Sequence, residues 1–207
     1  MYTSEFWNKV YQEHSSDAPW LTDTHADFFA KEFKKYINTS KPQKILDYGC
    51  GNGKIGMHFI SSDNQVEFAD ISDEMIASLN EQFQGKIPTY VVSYPEEIHN
   101  KYDCIICCTV LHHINPTEWK TFLQQFHMRL NSKGRLLISG TDEDDAILQN
   151  YHGYAPMTGE KCWCINNLEK MIDLNQFKII DSYKKPLKLE AFSQQRTGRF
   201  IILEKKD

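Results

Sequence analysis

A glycine-rich stretch constrains the fold of this 207-residue chain more than any other feature. Residues 44–56 read KILDYGCGNGKIG, in which the apolar pair Ile45-Leu46 precedes Asp47 and four glycines follow. A strand that turns abruptly into a helix needs glycines, some at positive φ and others bare so that a ligand can approach the backbone. The first turn of the helix also offers unpaired N–H groups. The stretch therefore predicts a nucleotide-type binding loop.

The rest of the chain alternates short apolar runs with amphipathic segments. Helices are predicted at 3–14, 22–37 and 54–60, after the N-cap Ser72, after Asn115 and from Asn166, with Glu169 completing a capping-box pattern. Strands are predicted at 44–46, 66–70, 88–93, 103–108, 136–139, 178–182 and 200–203. This alternation predicts an α/β fold with a doubly wound, mostly parallel sheet beneath an N-terminal helical cap. The last two strands have no long helix between them, which predicts an antiparallel hairpin at the sheet's edge.

Composition excludes several functional classes. The formal net charge of −5 argues against a broad nucleic-acid footprint, which needs clustered Lys and Arg. We find neither an N-terminal signal peptide nor a membrane-spanning run, so we expect no membrane partner. The six cysteines lie mostly in predicted core strands, which favours free thiols and a cytoplasmic location. Cys162-x-Cys164 has no second Cys/His pair at zinc-ligand spacing, so no metal is predicted.

The position of an acidic residue after the glycine loop limits the class of ligand. Asp70 ends the second predicted strand, nineteen residues beyond Gly51, where a carboxylate can accept both hydroxyls of a ribose. Gly51-x-Gly53-x-x-Gly56 formally fits a dinucleotide fingerprint. Against that alternative, the charge of Asp47 suits a cationic ligand better than a pyrophosphate. The chain also lacks a Tyr-x-x-x-Lys pair and room for a second catalytic domain.

Three segments resemble class I S-adenosylmethionine-dependent methyltransferases. LDYGCGNG with Asp70 is similar to the first two motifs of that family, and YDCIICCTVLHHI is similar to its fourth strand and the following segment. LNSKGRLLIS resembles the turn into the fifth strand. The resemblance covers residues 40–140. It implies a single domain over 1–207, with a helical cap at 1–40, a cofactor-binding half at 41–140 and a substrate-side insertion and C-terminal hairpin at 141–207. The implied strand order is 3-2-1-4-5-7-6, with the last strand antiparallel.

The resemblance also implies a set of cofactor contacts for S-adenosylmethionine and its product S-adenosylhomocysteine. Asp47 and the loop backbone would border the methionine portion, Asp70 the ribose and Ile71 the adenine. At Ser93-Tyr94 the family usually has an acid for the adenine amino group, so this chain departs from the pattern there. The full implied set is Trp20 as a lid, Asp47, Gly49, Cys50, Gly51, Asn52, Gly53, Asp70, Ile71, Ser93, Tyr94, and Cys108 with Thr109 along the methionine chain. Cys50 and Trp20 are equally interpretable as packing residues.

The acceptor side is less constrained. His112 and His113 follow the fourth strand, where a histidine with a near-neutral pKa could take a proton from a hydroxyl or amine. Methyl transfer from a sulfonium often needs only alignment and desolvation, so a packing role for both is equally compatible. In the insertion, His152, Tyr154, Met157 and Trp163 could line an acceptor pocket, while the acids of residues 142–145 could begin a solvated helix.

The sequence excludes some methyl acceptors. The segment after the fourth strand reads CCTVLHH and lacks the (Asp/Asn/Ser)-Pro-Pro-(Tyr/Phe) pattern of nucleic-acid amino methyltransferases. A Pro-Cys nucleophile for cytosine C5 is also missing. The leading hypothesis is therefore a monomeric or homodimeric methyltransferase that acts on an O, N or S atom of a small molecule. A protein or peptide methyltransferase and a non-catalytic S-adenosylmethionine-binding regulator remain alternatives.

Overall fold

The computed structural model describes residues 2–14, 18–38, 40–155, 158–187 and 196–207. One seven-stranded sheet runs through these residues in the order β3-β2-β1-β4-β5-β7-β6. The strands are β1 Lys44–Tyr48, β2 Gln65–Asp70, β3 Thr89–Val91, β4 Tyr102–Cys108, β5 Leu130–Thr141, β6 Phe177–Leu187 and β7 Arg196–Lys205. Strands β1 to β5 are parallel, and β7 lies antiparallel between β5 and β6. The predicted fold class and strand order are confirmed.

The apolar pattern of the strands explains their positions. The central strands β1 and β4 are almost wholly buried, as expected for parallel strands covered on both faces. Asp47 pairs with Phe68 of β2 and Ile106 of β4, so the carboxyl ends of these three strands lie at one edge of the sheet. That edge is where open α/β sheets bind ligands.

Helices cover both faces of the sheet. They are α1 Ser4–His14, α2 Asp23–Lys34, α3 Lys54–Met57, α4 Asp73–Gln82, α5 Trp119–Arg129 and α6 Ala146–Tyr151. Helix α5 buries Trp119, Phe122 and Phe126 on one face, and α2 buries Phe29 and Phe33 against the other. Burial of large aromatic side chains supplies much of the free energy that holds such layers together. Among the described residues, no helix has the length and apolar composition of a membrane span.

The structure confirms one local prediction and differs from two others. The predicted cap Ser72 is confirmed, since its Oγ accepts a hydrogen bond from the Met75 amide at 3.1 Å. Asn166 caps no helix. Its side chain instead accepts from the Glu143 amide, and the segment Ile165–Met171 forms a 3-10 helix. Asp142 and Asp145 are buried, not solvated, because the chain folds them back against β7.

Candidate functional site

A cavity of about 320 Å³ lies at the carboxyl ends of β1, β2 and β4. Its walls are formed by the glycine loop, the segment after β4, helix α1, and parts of residues 146–155 and 160–162. Most of the residues predicted for the site line this one cavity: Trp20, Asp47, Gly49, Cys50, Gly51, Asn52, Asp70, Ile71, Ser93, Cys108, Thr109, His112 and His113.

The glycine loop leaves β1 through backbone angles that disfavour residues with side chains. Gly49 has φ 70°, and its amide donates to the Ala69 carbonyl at 2.7 Å. A Cβ atom on Gly49 would lie 2.1 Å from a Val110 methyl carbon, so no side chain fits there without displacement. Gly53, at φ 73°, begins α3. The loop therefore brings bare backbone against the cavity, as a ligand-binding turn requires.

Asp70 holds the glycine loop in place through hydrogen bonds. Its Oδ2 accepts from the Gly51 amide at 2.8 Å, and its Oδ1 accepts from the Ser72 amide at 2.9 Å. Burial raises the pKa of Asp70, while these backbone hydrogen bonds act in the opposite direction. Each carboxylate oxygen has a second lone pair, so the group keeps capacity for two ligand hydroxyls.

Asp47 lies deeper, at the end of β1. Its Oδ2 accepts from the Gly56 amide at 2.8 Å, and the side chain is 1% exposed. Burial raises the pKa of Asp47 to about 7, and the nearby Asp70 carboxylate adds to the shift. The environment of Asp47 therefore favours a positively charged ligand.

The chain bends sharply where β4 ends. Thr109 has φ 55°, which is uncommon for a residue other than glycine. Its amide donates to the Ser139 carbonyl of β5 at 3.0 Å, and the Ser139 hydroxyl contacts the Cys108 thiol at 3.0 Å. Neighbouring strands hold this conformation in place, and strained backbone of this kind concentrates at functional sites.

The two histidines follow this bend and touch each other. Their Nε2 atoms are 2.8 Å apart, and Nδ1 of His112 lies 2.8 Å from the Thr141 hydroxyl. Burial lowers the pKa of His112 well below its usual value and that of His113 to about 3. The expected near-neutral pKa is therefore not found. Both imidazoles are neutral at physiological pH and are weak general bases.

The N-terminal segment covers the cavity. The Trp7 ring meets the His113 ring edge-on, with centroids 4.9 Å apart. Tyr11 is buried, and its hydroxyl oxygen would lie 3.1 Å from a Cβ atom on Gly51. Asn52 donates from its side chain to the Leu21 carbonyl at 3.0 Å, which ties the loop to the segment beside Trp20.

The far wall is formed by residues that sequence reasoning missed. Arg196 donates from Nε to both carboxylate oxygens of Asp145 at 2.9 Å, and Asp145 also caps α6 through the Ile147 amide. Nδ1 of His25 is buried with no hydrogen-bond partner within the described part of the chain. The other missed wall residues include Tyr2, Trp7, Tyr11, Tyr151, Glu160 and Cys162. No motif or spacing marks these positions, because separate segments bring them together.

Some predicted residues lie elsewhere. Tyr94 packs against Phe122 at a ring-centroid distance of 5.5 Å, and Gly53 faces Leu79 and Phe68. His152 and Tyr154 are exposed, because His152 ends α6 in the left-handed conformation and directs the chain outward. The Trp163 ring packs beside Lys161 outside the cavity wall. Met157 lies outside the described residues.

A family model described as "Methyltransferase domain" matches residues 45–134, the part that contains the glycine loop, Asp70 and the His112-His113 pair. This segment of the chain is similar to known methyltransferase domains. Together with the strand order, this match confirms the resemblance to class I methyltransferases that the sequence motifs indicated.

Two curated methyltransferases show how far the similarity extends. An uncharacterised methyltransferase of Schizosaccharomyces pombe is 26% identical over 174 residues, which cover 74% of this chain and 61% of the relative. The magnesium-protoporphyrin O-methyltransferase of Synechocystis is 29% identical over 100 residues, covering 46% of this chain and 43% of the relative. The chain thus spans less than two thirds of the length of either relative.

Solved structures share the fold over nearly the whole chain. A Burkholderia thailandensis 1,6-didemethyltoxoflavin-N1-methyltransferase, with its acceptor and S-adenosylhomocysteine bound, aligns with a TM-score of 0.73 at 17% identity. That alignment covers 99% of this chain and 88% of the other. The Synechocystis magnesium protoporphyrin IX methyltransferase, also with S-adenosylhomocysteine, aligns with a TM-score of 0.68 at 18% identity, covering 98% and 94%.

Proposed function

We propose that this protein is an S-adenosylmethionine-dependent methyltransferase that transfers a methyl group to an O, N or S atom of a small molecule. The observation that carries the proposal is the hydrogen bond between the Asp70 carboxylate and the Gly51 amide. This hydrogen bond holds Asp70, the acid expected to bind a ribose, against the glycine loop, and both line the cavity. The methyltransferase-domain match over the same residues supports this assignment.

The residues of the cavity fit the cofactor in charge and in shape. S-adenosylmethionine supplies a methyl group on a positively charged sulfur. Asp70 would accept the ribose hydroxyls, and Ile71 with Val92 offers apolar surface for adenine. Asp47, buried near the Asp70 carboxylate, would stabilise the positively charged amino-acid end. The bare backbone at Gly49 and Gly51 would allow the methionine portion to approach closely.

The size of the cavity favours a small acceptor. The cavity of about 320 Å³ lies near the lower end of the range for ligand pockets and would hold the cofactor as well as the acceptor, while α1 with residues 146–155 and 160–162 covers its β4 end. A peptide acceptor would need an open groove. Two similar proteins are named for methylating small molecules, magnesium protoporphyrin and 1,6-didemethyltoxoflavin. The buried, unpartnered Nδ1 of His25 offers a polar contact for such an acceptor.

Catalysis in this arrangement rests on alignment and on exclusion of water. The aromatic cover of Trp7, Tyr11 and Trp20 desolvates the reacting atoms. His112 and His113 border the acceptor end, but their lowered pKa values make proton abstraction from an alcohol or amine inefficient. We therefore propose that they orient the acceptor and do not serve as strong bases.

We also propose a cytoplasmic location and action as a monomer or homodimer without a nucleic-acid partner. The net charge of −5 and the six free cysteines support this part of the proposal. A single-domain organisation over residues 1–207 belongs to the same proposal, with the cap at 1–40 and the substrate-side elements after residue 140.

Isothermal titration calorimetry with S-adenosylmethionine, S-adenosylhomocysteine and NAD tests the cofactor assignment. We expect both sulfur ligands to bind and NAD not to bind. Replacing Asp70→Ala should weaken binding by about 2 kcal/mol, roughly thirtyfold, because buried charged hydrogen bonds are lost. The matched control Asp63→Ala removes an exposed carboxylate from the loop before β2 and should leave affinity unchanged. Tight NAD binding without a response to the sulfur ligands would refute the assignment.

A methylation screen over small-molecule acceptors tests the enzyme assignment, with S-adenosylhomocysteine formation as the readout. We expect turnover with at least one small acceptor and none with unstructured peptides. Turnover with peptides alone would favour a peptide methyltransferase. Tight S-adenosylmethionine binding without turnover across the screen would favour a regulator.

A further inference from the structure

Three potential metal ligands converge at the acceptor end of the cavity. The ligand atoms of His112, His113 and Cys162 all lie within 4.8 Å of one another. The two Nε2 atoms are 2.8 Å apart, and the Cys162 thiol is 3.9 Å from Nδ1 of His113. A tetrahedral Zn²⁺ site with bonds of about 2.0–2.3 Å separates its ligands by roughly 3.3–3.6 Å. The two Nε2 atoms would separate by about half an ångström, and the thiol, which lies within 4.8 Å of the ligand nitrogens, would move closer by about an ångström.

The partners of the outer ring nitrogens leave the two inner nitrogens facing each other. Nδ1 of His112 lies 2.8 Å from the Thr141 hydroxyl, which can accept its proton. The backbone of Lys161 hydrogen-bonds the His113 ring. The two Nε2 atoms share a hydrogen bond at 2.8 Å, and a cation bound between them would replace that hydrogen bond.

Metal-binding histidines typically have this kind of outer hydrogen bond, which fixes the ring tautomer and orientation. The backbone adds further support, since the Trp163 amide donates to the His112 carbonyl and the Cys162 amide to the Gly153 carbonyl, each at 2.6 Å. The segment that carries Cys162 is thereby tied to the segment that carries the histidines. The three groups are preorganised although 49 residues separate Cys162 from His113.

The charges around the trio of His112, His113 and Cys162 are balanced. Arg196 is close enough to affect the trio, but it is paired with Asp145. The buried Glu160 carboxylate and the Lys161 ammonium also act on Cys162, in opposite directions. A neutral pair of imidazoles with one thiolate would therefore receive a divalent cation without a large uncompensated charge. Ligation releases the Cys162 thiol proton to solvent, and a sulfur–metal bond replaces the S–H bond.

We propose that His112, His113 and Cys162 bind one divalent transition-metal ion of the Zn²⁺ type and leave its fourth position open to the cavity. Three protein ligands with one open position are typical of catalytic zinc sites, whereas structural sites use four. The arrangement gives the missed residue Cys162 a role together with the two predicted histidines.

An open coordination position selects a class of acceptor. This step rests on the proposed function. The acceptor would bind the metal through the atom that becomes methylated. Thiols and acidic hydroxyl groups fit best, since the metal lowers the pKa of a bound S–H or O–H group and releases its proton to solvent. The metal would then supply an activated nucleophile at the acceptor end of the cavity.

Cobalt(II) titration of the reduced full-length protein under anaerobic conditions tests the metal site directly. We expect one equivalent to bind and to give a sulfur-to-cobalt charge-transfer absorption, which Zn²⁺ abolishes by displacement. Cys162→Ser should remove that absorption. Thr141→Val keeps the shape of the side chain but removes the outer hydrogen bond of His112, and should weaken metal affinity about tenfold or more.

Cys164→Ser is the matched control, because this cysteine lies two residues away and is not part of the trio. It should bind cobalt as the unmodified protein does. Absence of cobalt binding, or a charge-transfer band that survives Cys162→Ser, would overturn the proposal. Circular dichroism and S-adenosylmethionine calorimetry on every variant verify folding. A protein that binds S-adenosylmethionine normally but no metal would refute the metal site and leave the proposed function intact.

Discussion

Asp47 shows how a single residue can be held ready for a charged ligand. The carboxyl group is buried at the end of β1, and its pKa is raised to about 7. Since this value exceeds the usual 3.8, the folded protein without ligand binds a proton that the unfolded chain has lost near neutral pH. The stability contribution of Asp47 is therefore complete below pH 4 and is lost as the pH rises through 7.

The first prediction concerns the pH dependence of cofactor binding. A positively charged ligand favours the ionised form of Asp47, so S-adenosylmethionine affinity should rise from pH 5.5 to pH 8, by up to about tenfold per pH unit below the pKa. Calorimetry in buffers of different ionisation enthalpy should detect proton release near pH 6. Asp47→Asn keeps the acceptor for the Gly56 amide and should abolish both effects. An unchanged pH slope in that variant would assign the titration to another group.

Among the single residues of the site, those that belong to one local motif could be predicted from the sequence. Asp70 was predicted from its spacing to Gly51, and its position against the loop follows from the β1–β2 pairing. Arg196 and Cys162 were not predicted as site residues. Each comes from a segment far along the chain, and only the completed sheet brings them to the cavity.

The glycine loop is the element whose conformation decides the site. Gly49 combines a left-handed backbone with a gap too small for a methyl group beside Val110. These two constraints are separable, because a smaller residue at 110 removes the steric conflict and leaves the backbone cost.

The second prediction separates the backbone effect at Gly49 from the steric effect of Val110. Gly49→Ala should destabilise the protein by about 3 kcal/mol, of which about 1–2 kcal/mol is the cost of the left-handed backbone. Adding Val110→Ala should recover part of that loss relative to Val110→Ala alone, and cofactor affinity should remain reduced. Urea unfolding and calorimetry on the four proteins of this cycle measure both quantities. Additive losses would show that the Val110 contact is not what excludes a side chain at 49.

Element boundaries were less predictable than element order. The chain was expected to turn after α5 at residues 131–134, yet Leu130 already pairs with β4 and the strand extends to Thr141. Gly134 fits there because a Cβ atom would lie 2.9 Å from the Asn131 carbonyl oxygen. The register with β4 then shifts, since the next pair is Cys104 with Arg135, and Lys133 has φ 58°. The predicted turn is therefore present as an irregularity inside β5.

The whole molecule divides into a buried sheet and a cover held by fewer apolar contacts. Helix α1 buries only Val10 and Tyr11. Its other attachments are polar and partly exposed: Asn8 donates to Asp73 at 2.7 Å and accepts from the Ser72 hydroxyl at 2.7 Å. Elements with few buried apolar contacts open locally at low free-energy cost. We infer that α1 opens to admit ligands while the sheet remains intact.

The third prediction follows from this difference between cover and sheet. Hydrogen–deuterium exchange of the amides in Ser4–His14 should slow by at least about tenfold when S-adenosylmethionine is saturating, because the ligand would fill the cavity beneath Trp7 and Tyr11 and stabilise the closed state. Amides of β4 and β5 exchange through global unfolding, so in the free protein they should exchange much more slowly than those of α1. Asn8→Ala should speed exchange in α1 of the free protein without affecting the sheet, because it removes the polar attachment to α4. Equal exchange rates in α1 and the sheet of the free protein, or an unchanged α1 rate in Asn8→Ala, would contradict local opening.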